Sequence, residues 1–417
     1  MNESMKKGME EAVGVLSRIP DRVIYASDFK EKGKYAVAAA VEACAAAGGG
    51  TVQVDSGDWE TVPIHLKSKI HLRVEEGARL LFSSQFSDYL PVVFTRWEGV
   101  ECYNYSPLIY AKDCTDIAIT GKGSLVGNGQ AWWHWKVLQQ EAATGLIRAQ
   151  INHMPVEKRV YGTERAALRP SFVQPINCRN VWLENLTVED GPQWTIHPVY
   201  CENVVIRGLD IRTTGPNTDG INPDSCRNVL IEGCRLDTGD DCIAINSGMN
   251  EDGWRVNRPC DNVEIRNCVM EGGHGGIAIG SGLSGGVDKI YAHDCVIRHT
   301  MQGIRIKSMR GRGGYVDHTR FENIRLEDTT HQAIQITMFY EYSTVVPKSN
   351  TPSDFRGIQI EGVSGGGHAL GIQILGLPEH KMKGVSLRQI HLEAEQAMEC
   401  RDVESMEWED VKVGCIG

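Results

Sequence analysis

No apolar run in this 417-residue sequence approaches the ~20 residues that a membrane-spanning helix needs. The opening segment, MNESMKKGMEEAVGVLSRIP, is charged throughout and has no apolar stretch long enough for a secretion signal. CxxC pairs are also absent: the 13 cysteines are scattered singly. Without a secretion signal they read as reduced thiols packed as small hydrophobes, which disfavours a zinc site and predicts a cytoplasmic protein. Basic residues are outnumbered, 43 to 54, and the net charge of −11 argues against a general nucleic-acid binder. A local basic pocket stays possible. Aromatics are scarce, with only 8 Phe, whereas there are 45 Gly.

Helical periodicity is missing from most of the chain. Around Tyr35–Ala47, KYAVAAAVEACAA is rich in helix formers and stops at Gly48-Gly49-Gly50. After it come short β-branched runs broken by Gly, Asn and Asp. They form a ladder: Val181-x-Leu183, Val204-x-Ile206, Val229-x-Ile231, Val263-x-Ile265, Ile290-x-Ala292, Thr319-x-Phe321, Ile358-x-Ile360 and Val385-x-Leu387. A second ladder runs through Ile221, Ile243-x-Ile245, Ile277-x-Ile279, Ile304-x-Ile306, Ile334-x-Ile336 and Ile372-x-Ile374. Val229 to Val263 and Ile243 to Ile277 are both 34 residues apart, so the two ladders keep step.

A repeat of about 22 to 39 residues, with short strands and no helix between them, predicts coils stacked into a parallel β-helix. Leucine-rich repeats would need a tighter period. Several cysteines are rungs of the ladder, which favours packing over chemistry for them. Asn180, Asn203, Asn228 and Asn262 open successive strands and suit turns in which the side chain bonds neighbouring backbone. A solenoid grows by adding coils, so residues 1–417 are expected to form one all-β domain, with about residues 1–50 as an N-terminal extension and capping α-helix. No Pro/Ser-rich linker divides it.

The polar residues just ahead of the second ladder's strands line up. Asp219-Gly220 precedes Ile221, Asp240-Asp241-Cys242 precedes Ile243, and His274-Gly275-Gly276 precedes Ile277. Arg305 and Lys307 alternate with Ile304 and Ile306. Stacked strands lie ~4.8 Å apart, so these groups are expected on one lateral patch. Singly, each has a plainer reading: turn former, calcium ligand, carbonyl partner or charged outer face. Their coincidence at matching rungs favours a site. Three adjacent carboxylates cannot all ionise cheaply, so at least one pKa should rise and supply a proton donor, while the others position and deprotonate water. Glycoside hydrolysis needs that division. Arg305 and Lys307 suit a sugar carboxylate.

At these residues the sequence resembles glycoside hydrolase family 28, the polygalacturonase family. The matching segments are Asn217-Thr218-Asp219-Gly220 with Ser225, Gly239-Asp240-Asp241-Cys242 with Ser247-Gly248, Gly273-His274-Gly275 leading to Gly280-Ser281, and Arg305-Ile306-Lys307. The resemblance implies a right-handed parallel β-helix and an inverting hydrolase of α-1,4-linked galacturonate. It implies Asp240 as general acid, Asp219 and Asp241 holding the attacking water, His274 supporting the acid, and Arg305 and Lys307 binding substrate carboxylates. Asn217 looks like an orienting group. No metal or organic cofactor is implied, and the partner expected is an oligogalacturonide or related acidic oligosaccharide rather than nucleic acid or membrane. Thr95–Cys102 and Trp132-Trp133-His134-Trp135 are similar to the bacterial exo-acting branch, where added loops close one end of the cleft; packing for long loops is the competing reading. Rhamnogalacturonan as substrate, a calcium-dependent pectate lyase and a non-catalytic binding module remain alternatives. The sequence leaves oligomeric state open.

Overall fold

The protein, described here from a computed structural model over residues 8, 10–340 and 351–415, is a right-handed parallel β-helix. Twenty-five strands join in one continuous sheet system that winds around a single apolar core. The first predicted ladder is one wall of it. Val181 pairs with Val204, Val204 with Val229, Val229 with Val263, Val263 with Ile290, Ile290 with Thr319, Thr319 with Ile358 and Ile358 with Val385, all in parallel register. The second ladder is another wall: Ile243, Ile277, Ile304, Ile334 and Ile372 stack in order. It begins earlier than the sequence pattern shows, because Val173 bridges Ile196 and Ile196 bridges Ile221.

Corners between the walls explain the Asn and Gly usage. Asn180, Asn203, Asn228 and Asn262 all hold φ between 54° and 63°, the left-handed region that Asn and Gly tolerate best. The sequence suggested side chains bonded to neighbouring backbone, and the structure shows a further arrangement. The side chains bond one another: each Nδ2 donates to the Oδ1 of the residue one coil earlier, at 3.0 Å for Asn203 and Asn228 and 2.6 Å for Asn262. Asn180 closes this ladder by donating to Asp116 at 3.0 Å. A coil spacing of ~4.8 Å suits amide-to-amide bonds between stacked identical side chains.

The helix Ala36–Ala46 covers the first coils with Ala36, Val37, Ala40, Val41 and Cys44, shielding their open edge as predicted. A second helical segment, containing Val15–Arg18, was not foreseen. It lies along the outside of the first wall, where Ala12, Val15 and Ile19 pack on Ala118, Trp182, Val205 and Leu230. The cysteines are free thiols, buried except for Cys400 and Cys415. The polar residues converge on the second wall around Ile221–Lys307, where Asp219, Asp241 and Lys307 are buried and Asp240, His274 and Arg305 keep part of their side chains exposed.

Candidate active site

Asp219 and Asp241 each stand two residues before a core isoleucine, Ile221 and Ile243, whose backbones bridge in parallel. The same register therefore stacks the two carboxylates one coil apart. In the next coil that position is Gly275, and the space it leaves is used: its amide donates to Asp241 Oδ1 at 2.8 Å. A Cβ at Gly275 would sit 2.7 Å from that oxygen, so only glycine fits. Asp240 precedes Asp241 on the cleft side. One oxygen each from Asp219, Asp240 and Asp241 lies within 4.8 Å of the others.

The predicted cations complete the patch, with an unequal division. Lys307 is buried and its ammonium bonds Asp241 Oδ2 at 2.6 Å, so it is directed at that carboxylate. Arg305 stands 3.5 Å from Asp241 Oδ1, donates to Gln335 at 3.1 Å, and stays open to the cleft. His274 Nδ1 is 3.0 Å from Asp240 Oδ1, and this bond raises the imidazole's pKa. Asn217 links a buried guanidinium to the cluster: Arg169 donates to its Oδ1 at 2.8 Å, and its Nδ2 approaches Asp240 Oδ2 at 3.4 Å.

Burial and the neighbouring charges of Asp240 and Asp241 drive the Asp219 carboxyl well above the usual range. Asn222 donates to its Oδ2 at 2.9 Å, while Oδ1 is buried without a partner. At Asp240 burial pushes the same way, but the His274 hydrogen bond and charge, with Lys307 and the Asp241 amide, outweigh it and hold the carboxyl low. Of the crowded carboxyls, Asp219 is thus the one whose surroundings favour the proton and Asp240 the one whose surroundings oppose it. Two cations and an imidazole around the triad already balance its charge, which disfavours a divalent cation there.

Arg169 and Gln193 had no signal in the sequence, whereas Arg96, Glu98 and Trp133 lie in segments it singled out without giving them roles. Arg169 is fully buried and donates to the carbonyls of Pro192 at 3.0 Å and Pro216 at 2.6 Å as well as to Asn217. A buried ion pair, Arg96 to Asp224 at 2.9 Å, fastens the antiparallel hairpin Val93–Trp97/Val100–Asn104 to the second wall. Arg96 also donates to Ser225 at 2.9 Å. The hairpin tip carries Glu98, which accepts from Gln193 at 3.0 Å. The tryptophan cluster divides between the two readings given for it. Trp132 and Trp135 are core, packed with Phe86, Tyr89 and Tyr105. Trp133 instead braces the turns beside the site: its indole donates to Gly191 at 2.9 Å, over Gly215, where a Cβ would meet the ring at 2.1 Å.

Residues 157–415, which include every one of the predicted site residues, match the family model for glycosyl hydrolases family 28. The chain belongs to that family. It is a glycoside hydrolase, and its likenesses within the family agree. An exopolygalacturonase from Thermotoga maritima superposes with a TM-score of 0.92 at 35% identity, covering 99% of this chain and 96% of that one. A probable polygalacturonase of Vitis vinifera is 30% identical over 376 residues, 86% of this chain and 71% of the relative. An exo-poly-alpha-D-galacturonosidase of Dickeya chrysanthemi is 26% identical over 334 residues, and the match spans 54% of that protein.

Proposed function

We propose that this family 28 hydrolase removes terminal galacturonate from α-1,4-linked oligogalacturonides in a single inverting displacement. The observation that carries the reading is the cluster Asp219, Asp240, Asp241 with His274 and Arg305 on one wall. Asp240 is the carboxylate that faces the cleft beside His274, so it is the one placed to protonate a glycosidic oxygen. A sugar seated over it strips its water, which favours the neutral form and draws the cluster's proton from Asp219 to Asp240. Asp219, having given up that proton, and Asp241 hold and deprotonate the water. Arg305 meets a substrate carboxylate, with Lys307 beneath it fixing Asp241. The exo part of the reading is supported by the hairpin Val93–Asn104, whose Glu98 tip stands beside the turn at Gln193, one coil before Asp219.

The nearest carboxylate oxygens, within 4.8 Å, are closer than the ~6.5–9.5 Å usual between the two carboxyl groups of inverting enzymes. In this site two carboxylates share the water, so the nearest-oxygen spacing does not measure the gap across the anomeric centre. Proton NMR of the first-formed sugar decides it: inversion gives the β-anomer, and initial α-anomer would establish retention. Asp240→Asn is expected to lower kcat on trigalacturonate by roughly 10²–10⁴-fold with its thermal midpoint little changed. Undiminished turnover would remove Asp240 from the acid role. The lyase alternative would need a free arginine base, and Arg305 is engaged by both Asp241 and Gln335. The stacks of buried free thiols support a reducing, cytoplasmic setting, in which the substrate would be imported oligosaccharide.

A further inference from the structure

Glu98 is a charged residue at a rigid hairpin tip. Its φ of 43° is left-handed, which turns the side chain out of the hairpin. Two residues earlier Arg96 is locked to Asp224 and Ser225, and on the other side Gly99 accepts from the Met249 amide at 3.2 Å. The tip therefore has no room to swing. Gln193, itself only 2% exposed, gives one amide hydrogen to Glu98, and its Oε1 is buried with no partner. Lys136, half-buried on Trp135–Leu138, is close enough to act electrostatically on Glu98 and makes no salt bridge among the described residues. The turn that holds Gln193 is the one Arg169 ties to Asn217, and through Asn217 to Asp240. Burial, opposed by Lys136 and Arg169 and aided by the charge of Asp240, pushes the Glu98 carboxyl up, which places it electrically in the same site.

Two unspent acceptors and a nearby cation without a salt bridge among the described residues fit one particular sugar. Within a galacturonan every O4 is an ether oxygen with no hydrogen to give. Only the terminal sugar at the non-reducing end has a free O4–H. A carboxylate accepts hydrogen bonds and cannot donate them when ionised, so it welcomes the chain end and repels the lone pairs of an internal linkage. We propose that Glu98, with Gln193 Oε1, reads the non-reducing chain end by accepting its free O4 hydroxyl, while Lys136 takes that sugar's carboxylate. A further uronide beyond this sugar would bring a second carboxylate against Glu98 and is excluded. The enzyme then releases one sugar per turnover. This inference rests on the exo reading given above.

The test compares trigalacturonate with its 4,5-unsaturated counterpart, which lacks the O4 hydroxyl. Wild-type enzyme is expected to prefer the saturated trimer by about 100-fold in kcat/KM, because the unsaturated end leaves buried acceptors unpaired. Glu98→Ala is expected to lose about 100-fold on the saturated trimer and at most a few-fold on the unsaturated one, so the preference collapses. Glu98→Gln, which keeps an acceptor oxygen but no charge, should fall between them. A Glu98→Ala enzyme that is folded by its melting curve yet keeps the wild-type preference would overturn the inference, as would equal losses on both trimers. Hexagalacturonate cleaved at internal bonds by the wild-type enzyme would instead overturn the exo reading itself.

Discussion

Asp219 is held at a cost to the fold. Its carboxyl is buried, one oxygen lacks a partner, and two more carboxylates crowd it. In the unfolded chain an aspartate ionises near pH 3.9. In the native protein Asp219 keeps its proton to higher pH, so the native state binds the extra proton in between, and stability falls as pH rises through that window. Asp219→Asn removes the titrating group while keeping the shape. It is expected to abolish activity yet raise the thermal midpoint by a few degrees at pH 7, at about 1 °C per kcal/mol in a chain this long. The gain should shrink as pH falls toward about 4 and vanish at about pH 3, below the unfolded pKa, where both states carry the proton. Thermal melts across this pH range check this, and a gain independent of pH would contradict it. At this scale the sequence was informative wherever a residue sat on a rung. Asp219, Asp241 and Gly275 could be stacked on paper because Ile221, Ile243 and Ile277 could. Arg169, Gln193 and Glu98 could not, since they come from turns and insertions whose position no repeat specifies. The proton's resting place was also hidden, because it depends on which carboxylate His274 and Lys307 reach.

Two elements show how outward-facing residues record what covers them. The middle residues of the first-wall triplets are Trp182, Val205 and Leu230, then Glu264, Tyr291 and Arg320. The apolar members, Trp182, Val205 and Leu230, are the ones on which Ala12, Val15 and Ile19 pack. The change to polar members was in the sequence, but period-2 alternation alone directs attention to the inward rungs. The hairpin Val93–Asn104 is fastened differently, through Arg96 and Asp224, both with side chains fully out of solvent. Removing one partner strands the other's charge, which costs about 3–5 kcal/mol. Asp224→Leu alone and Arg96→Met alone should each lose about that much in denaturant unfolding, whereas the double variant should lose clearly less than their sum. Additive losses would mean that the pair is not what fastens the hairpin.

The whole molecule is a stack in which each coil touches its neighbours and little else, so stability is distributed along one axis. The last strand, Met406–Cys415, is largely exposed, with Trp408 48% open to solvent, and the wall ends there among the described residues. Coils carrying Asp219 through Lys307 lie well inside the stack. Hydrogen exchange is expected to run fastest through Met406–Cys415 and slowest through Arg227–Glu232, Ile243–Ile245 and Gly275–Ile279. In rising denaturant, activity should then outlast the amide protection of the C-terminal coils. Simultaneous loss of both would show a single cooperative unit. One consequence concerns how the catalytic spacing is kept. Because Ile243, Ile277 and Ile304 are joined by main-chain pairing, Asp241, His274 and Lys307 inherit the pitch of the backbone lattice. Trading isoleucine for valine inside the core changes how firmly the lattice holds, but not its pitch. Coils added or lost at either end leave it equally untouched. The chemistry is thereby decoupled from the length of its scaffold, and the non-repeating loops are left as the place where one substrate is exchanged for another.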